Sequence, residues 1–195
     1  MPYEKGPALP GTRLVDVDFS HARLHAPNFE GAKITDAWAM IEDVWQATLA
    51  RARKLPEPML YERVDDEWSF VETLRHLVLA TDCWLRRMVK GMDRPYHPWG
   101  LAQPWLADPE SWGIDPEASP SLKEVLKLRR ERMDEVGKSI DAVTATELER
   151  ICVPPDSPGQ PTRDHTVRAC IHVILNEEWE HNCYAKRDLD ILDTQ

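Results

Sequence analysis

Several patterns that mark large functional classes are missing from this sequence of 195 residues. No two of its four cysteines have the Cys-x-x-Cys spacing of zinc ribbons and thioredoxin-like redox sites. There is no glycine-rich phosphate loop, no dinucleotide-binding fingerprint and no Gly-x-Ser-x-Gly nucleophile elbow. No apolar run reaches the roughly 18 residues of a transmembrane helix. These absences argue against nucleotide-dependent, serine-hydrolase, dithiol and membrane-spanning proteins.

Positively charged residues are too few to favour a nucleic-acid partner. The chain has 24 Lys and Arg against 34 Asp and Glu, which gives a net charge of −10, and no basic cluster stands out. Nucleic acids and anionic membranes would on average be repelled, so neither is expected as a partner. The N-terminus lacks the charged-then-apolar pattern of a signal peptide, and we therefore expect a protein of the reducing cytoplasm.

Hydrophobic periodicity predicts four long amphipathic helices and no convincing strand. Capping boxes, each a serine followed three residues later by a glutamate, mark the starts of the second and third helices. Asp164 is the expected N-cap of the fourth. A proline- and tryptophan-rich crossover loop separates the second helix from the third. The pattern predicts an all-α four-helix bundle, with helices over about 35–55, 69–89, 121–143 and 165–189.

The first 34 residues differ in composition from the bundle that we expect over 35–195. Their apolar residues recur every fifth position, as in pentapeptide-repeat proteins, whose units need stacked neighbours to be stable. The segment is interpreted either as a short pentapeptide-like piece or as an irregular arm laid on the bundle. The recurring residues are Leu14, Phe19, Leu24, Phe29 and Ile34.

The strongest functional signal is a carboxylate and an imidazole in the apolar stripe of the last helix. Glu177 and His181 are about 40° apart around that helix, so both could bind one ligand. An ionised carboxylate in an apolar seam is unfavourable unless it is paired or binds a metal. A solvated charge pair is the simpler alternative for this spacing.

His76 is the best candidate for a third ligand, because no other histidine lies inside another predicted long helix. It stands off the main apolar arc, on a narrow stripe of small side chains with Thr73, Ala80 and Cys83. Those side chains could line a pocket. The spacing fits a partly exposed histidine nearly as well.

Two segments carry a resemblance to a known family. Residues 67–78 (EWSFVETLRHLV) resemble the second helix of the DinB-like superfamily, and residues 176–189 (NEEWEHNCYAKRDL) resemble its fourth. With the loop 96–99 (YHPW), the likeness covers roughly residues 36–192. It implies a metal-binding four-helix bundle, often dimeric, so a homodimer is expected.

The same resemblance implies a ligand set. The family commonly uses one histidine from the second helix and His-x-x-x-His from the last. In the branch similar to mycothiol-dependent maleylpyruvate isomerase, the last helix supplies Glu-x-x-x-His. That variant matches Glu177 and His181 here, with His76 as the third ligand. Glu178 and Asp82 are further candidates, for orienting the histidines as outer-shell partners.

Two imidazoles and one carboxylate favour Zn²⁺, with Ni²⁺ as an alternative, and three protein ligands leave a coordination position open. The resemblance implies a thiol-dependent S-transferase that joins a low-molecular-weight thiol, such as mycothiol, to a small electrophile. A metal-dependent hydrolase on the same site is one alternative. A non-catalytic stress or interaction bundle is the other.

Overall fold

A computed structural model of the chain describes residues 33–104, 106 and 108–194. The described residues form the all-α bundle that the sequence predicts, with a small two-stranded ladder added. Its α-helices are α1 (Ile34–Ala52), α2 (Phe70–Thr81), α3 (Leu122–Ala142), α4 (Ala145–Leu148) and α5 (Val167–Leu192). The pentapeptide-like pattern predicted at the N-terminus lies almost wholly outside the described residues.

Shorter elements join the helices. A π-helix (Asp82–Val89) continues α2 to the end predicted for the second helix. Two 3₁₀ turns (Glu57–Tyr61 and Pro109–Trp112) lie in the connections on either side of it. None of the described helices has both the length and the apolar character needed to cross a membrane.

The start of the last helix differs from the prediction. Strands β1 (Ile151–Cys152) and β2 (His165–Thr166) pair antiparallel, so the residues just after Asp164 are extended and not helical. The helix therefore begins at Val167. Its N-cap is Thr166, whose hydroxyl accepts a hydrogen bond from the Ala169 amide at 3.1 Å, and the expected role of Asp164 was wrong.

Contacts between helices define their directions. The Trp45 indole N–H donates to the Glu178 carbonyl, and the Asn182 amide donates to Thr48 Oγ1, so α1 and α5 run parallel. His76 on α2 contacts Glu177 on α5, and Trp84, in the π-helix that continues α2, contacts His165, just before α5. Helices α2 and α5 therefore run antiparallel.

The long loop between the second and third helices has a geometric reason. Arg132 of α3 pairs with Asp82, and Glu135 one turn later pairs with Lys90. The residue numbers of the paired side chains increase together along the two helices, so α3 runs parallel to α2 and its π-helical continuation. Parallel neighbours cannot be joined by a tight turn, and the chain must travel back along the bundle.

Helix α2 is the most buried of the described helices. All of its residues except Glu72 are buried. It packs against α3 and α5, and the crossover loop covers part of the remaining face through a second small core of Leu79, Cys83, Tyr96, Trp112 and Ile114. The loop is therefore packed against the bundle. Side chains on every face of α2 are held in place, including those off its main apolar stripe.

Candidate metal centre

The two antiparallel helices α2 and α5 bring three candidate ligands together. One ligand atom each from His76, Glu177 and His181 lies within 4.8 Å of the others. His76 Nε2 is 3.3 Å from Glu177 Oε2, and the two imidazole rings have centroids 4.7 Å apart. The residues that the sequence and the family resemblance single out as ligands therefore form one cluster in the structure.

Backbone carbonyls set the tautomer of both histidines. His76 Nδ1 lies 3.0 Å from the Leu101 carbonyl, and His181 Nδ1 lies 2.9 Å from the Glu177 carbonyl one turn earlier. A carbonyl only accepts, so each Nδ1 carries the proton. In the neutral form of either ring, the lone pair is then on Nε2. Metal-binding histidines have this arrangement, in which the second ring nitrogen is tied to a carbonyl or carboxylate.

Aromatic side chains wall the cluster. The ring of Trp68 lies 4.5 Å from that of His76 and 6.1 Å from that of His181. Tyr184 meets His181 edge-on at 5.8 Å. The sequence reasoning assigned no role to either aromatic residue, although both lie in the segments that carry the family resemblance.

Burial differs across the cluster. The side chain of His76 is 7% exposed and that of His181 is 12% exposed, whereas that of Glu177 is 28% exposed. Burial, followed by the neighbouring His76, lowers the pKa of His181 to about 4. Burial alone would raise the pKa of Glu177, but His76, which can donate to Glu177 when its Nε2 is protonated, and the neighbouring His181 outweigh burial and lower that pKa. Around neutral pH His181 is a neutral imidazole and Glu177 a carboxylate, the forms that bind metal.

The metal-free protein is expected to lose stability as the pH falls from about 6.5 to about 4. The pKa of His181 is 6.5 as its ordinary value and about 4 in the fold. Between these two pH values the His181 side chain is protonated in the unfolded chain and neutral in the folded one, so acid favours unfolding. The stability that the neutral ring contributes is fully present only above the unfolded pKa. Urea denaturation at a series of pH values should show that the unfolding free energy falls more steeply with decreasing pH in the wild type than in His181→Gln. Equal pH dependence of the two proteins would contradict the assignment.

Glu178 and Asp82 do not contact the histidines in the structure. Glu178 is 1% exposed and pairs with Arg129 in the bundle interior. It is about 100° around α5 from Glu177, so it points toward α1 and α3 and not toward α2. Asp82 is fully buried and accepts from Arg132 Nε at 2.7 Å and from the His97 amide at 2.9 Å.

Sequence reasoning missed Leu101, which orients His76 through its backbone carbonyl. No residue type marks such a role, because every residue has a carbonyl. The loop around it is anchored at three points. The Leu101 amide donates to the Arg75 carbonyl at 3.3 Å, Arg75 Nε donates to the Trp99 carbonyl at 3.0 Å, and Asp82 holds the His97 amide. Asp82 thus anchors the start of the loop segment 97–101, whose last residue contacts His76 through its carbonyl.

A family model described as the DinB superfamily matches residues 40–184, which is most of the chain and includes the whole cluster. The chain belongs to the DinB superfamily. Members of the DinB superfamily often bind a divalent metal. No curated protein matches the sequence.

A solved structure has a similar fold. The crystal structure of a Streptococcus pneumoniae protein aligns with a TM-score of 0.53 and 19% sequence identity. The alignment covers 80% of this chain and 89% of that one. At such low identity the likeness concerns the architecture alone.

The donor set of the cluster fits a divalent first-row ion. Two neutral imidazole nitrogens and one carboxylate oxygen are ligands of Zn²⁺ and related ions, and catalytic zinc sites commonly have three protein ligands. The tied Nδ1 atoms give both rings the tautomer that such an ion requires. His76, Glu177 and His181 are therefore the residues that would hold the metal.

Proposed function

We propose that this protein is a metal-dependent enzyme that joins a low-molecular-weight thiol to a small electrophile, forming a bond from the thiol sulfur to the electrophilic carbon as the leaving group departs and the thiol proton is released. The observation that carries the proposal is the meeting of His76, Glu177 and His181, with both Nδ1 atoms committed to carbonyls. Zinc is the proposed ion, with nickel as the alternative. When bound, such an ion lowers the pKa of a coordinated thiol or water and so supplies a nucleophile near neutral pH.

The residues of the chain have separate parts in this proposal. The Leu101 and Glu177 carbonyls orient the two rings, so little reorganisation is needed on metal binding. Trp68 covers the rings on one side and limits access of water. Glu177 is the most exposed of the three ligands, so its side of the cluster is the proposed approach for thiol and electrophile.

The state of the protein's own cysteines favours an external thiol. Burial raises the pKa of Cys170 to about 12 and that of Cys183 to about 11. Burial also raises the pKa of Cys83, in the π-helix that continues α2. These thiols stay protonated at neutral pH and are poor nucleophiles. A sulfur nucleophile at this site would therefore be brought by a small thiol, and mycothiol is a proposed example.

The proposal is tested by thiol conjugation to chlorodinitrobenzene. The full chain, loaded with zinc or nickel, is assayed with mycothiol, glutathione and cysteine, with and without chelator. We expect conjugation above the uncatalysed rate with at least one thiol, and loss of that excess on chelation. Glu177→Gln should abolish it, because the variant replaces a charged ligand. Glu180→Gln, with the same charge change on the same helix, should retain it.

Three outcomes would contradict the proposal in different ways. Bound metal without conjugation by any thiol excludes the transferase, and an ester panel then tests the hydrolase. A protein that binds no divalent metal excludes both enzymes and favours the non-catalytic bundle. Equal loss of activity in Glu177→Gln and Glu180→Gln would separate the activity from the cluster.

A further inference from the structure

A cavity of about 140 Å³ lies around the start of α2. Its walls come from α2, the 3₁₀ turn Glu57–Tyr61 and the residues just before α3. None of the three candidate metal ligands lines it. The side chains that matter for its chemistry are those of Tyr61, Glu72, Arg75 and Ser119.

Arg75 is a buried cation with too few partners. The residue is 8% exposed, yet none of the described carboxylates lies within ion-pairing distance of it. Its Nε donates to the Trp99 carbonyl, while its Nη2 is enclosed and has no acceptor among the described residues. Burial lowers the pKa of Arg75, and the more distant charges of Glu72 and Asp115 offset this only in part. A buried guanidinium in this state is unfavourable unless another acceptor is present.

The other buried arginines show that this environment is unusual. Arg87 makes three hydrogen bonds to the 155–157 segment. Arg129 pairs with Glu178, and Arg132 pairs with Asp82. Among these four, within the described part of the chain, Arg75 is the one that has neither a carboxylate partner nor more than one hydrogen bond, and it lines a cavity.

Two further groups of the cavity, the hydroxyls of Tyr61 and Ser119, can also donate hydrogen bonds. Tyr61 Oη accepts from the Leu122 amide at 2.6 Å, which leaves its O–H without an acceptor among the described residues. The Ser119 hydroxyl has no hydrogen-bond partner there either. The carboxylate of Glu72 is already engaged, because it accepts from Arg63 Nε at 3.0 Å and from the Ser69 amide at 2.8 Å. The N-termini of α2 and α3 add positive potential.

We propose that this cavity binds a small oxyanion, the carboxylate or phosphate group of a small molecule, with Arg75 as its main contact. An oxyanion in the cavity supplies the negative charge that the buried Arg75 lacks, and the exposed hydroxyls of Tyr61 and Ser119 can donate to it in place of water. A planar guanidinium matches the geometry of both kinds of group. The proposal goes beyond the proposed function and does not depend on it, since the cavity needs no metal.

The test is calorimetric titration of the full chain, freed of metal, with sodium phosphate and separately with sodium acetate at constant ionic strength. We expect saturable binding of at least one anion. Arg75→Gln should weaken it at least about tenfold, because a charge-assisted contact is lost. Arg130→Gln removes the same charge from an exposed position on α3 and should leave the affinity unchanged.

A second pair of variants keeps the test decisive if Arg75→Gln does not fold. Ser119→Glu places a carboxylate at the cavity and should weaken anion binding at least about tenfold, whereas Ser119→Gln has similar size and no charge. Binding of phosphate alone or of acetate alone would identify the kind of group. No saturable binding of either anion, or equal affinity in Ser119→Glu and Ser119→Gln, would overturn the proposal. Because the protein is metal-free, this result is independent of the thiol assay.

Discussion

Replacing His181 with alanine is expected to weaken zinc binding at least about 100-fold. Substitutions of groups that only orient a ligand already reduce metal affinity by about 10- to 100-fold, and His181 is a proposed ligand itself. The ring lies beside both other members of the cluster, with its Nδ1 tied to the Glu177 carbonyl. Competition with a chromophoric chelator measures the affinity directly.

His172→Ala is the matched control for this measurement. His172 lies on the same helix, half a turn around it from His181, so it cannot join the cluster. Its replacement should leave the zinc affinity unchanged. Circular dichroism of each metal-free protein checks that the helices remain. Zinc bound equally tightly by wild type and His181→Ala would exclude the proposed centre.

Replacing Arg129 with methionine is expected to cost about 3–5 kcal/mol of unfolding free energy, the usual effect of breaking a buried ion pair. Arg129 is 3% exposed and Glu178 is 1% exposed. Burial raises the pKa of Glu178, and the charge and hydrogen bond of Arg129 offset only part of that rise. Without Arg129 the carboxylate would be left uncompensated in the bundle interior. Urea denaturation of metal-free protein measures the loss.

A double variant identifies the cause of that loss. In Arg129→Met with Glu178→Gln, neither charge remains, and most of the lost stability should return, because replacing both members of a buried pair is often nearly neutral. Arg130→Met, at the exposed neighbouring position, should change the unfolding free energy by less than about 0.5 kcal/mol. A double variant no more stable than Arg129→Met would show that the ion pair is not the source of the effect.

The helices were predictable because their signals are local. The capping boxes at Ser69 and Ser121 are present in the structure, and the apolar stripes place the bundle helices to within a few residues. The start of α5 was less predictable. Pairing with a strand residue more than ten positions earlier in the chain decides that Thr166, and not Asp164, caps it.

The candidate site was only half predictable from the residues. Glu177 and His181 lie one turn apart on a single helix, so their proximity follows from helical geometry. The position of His76 does not follow from its own helix, where its stripe fits an exposed residue nearly as well. It is buried because α5 and the crossover loop cover that face of α2.

By itself the sequence determined an all-α bundle, the Glu177–His181 pair and, through its resemblance to the DinB-like superfamily, His76 as the partner to look for. Only the tertiary structure decided that Leu101 orients His76 and that Glu178 faces Arg129 in the interior. It also decided that Arg75 lines a cavity and has a single hydrogen-bond acceptor. The physical reason is the separation along the chain of the residues that interact. Helix periodicity and capping depend on neighbours within a few residues, whereas these contacts join side chains and carbonyls 24 or more positions apart.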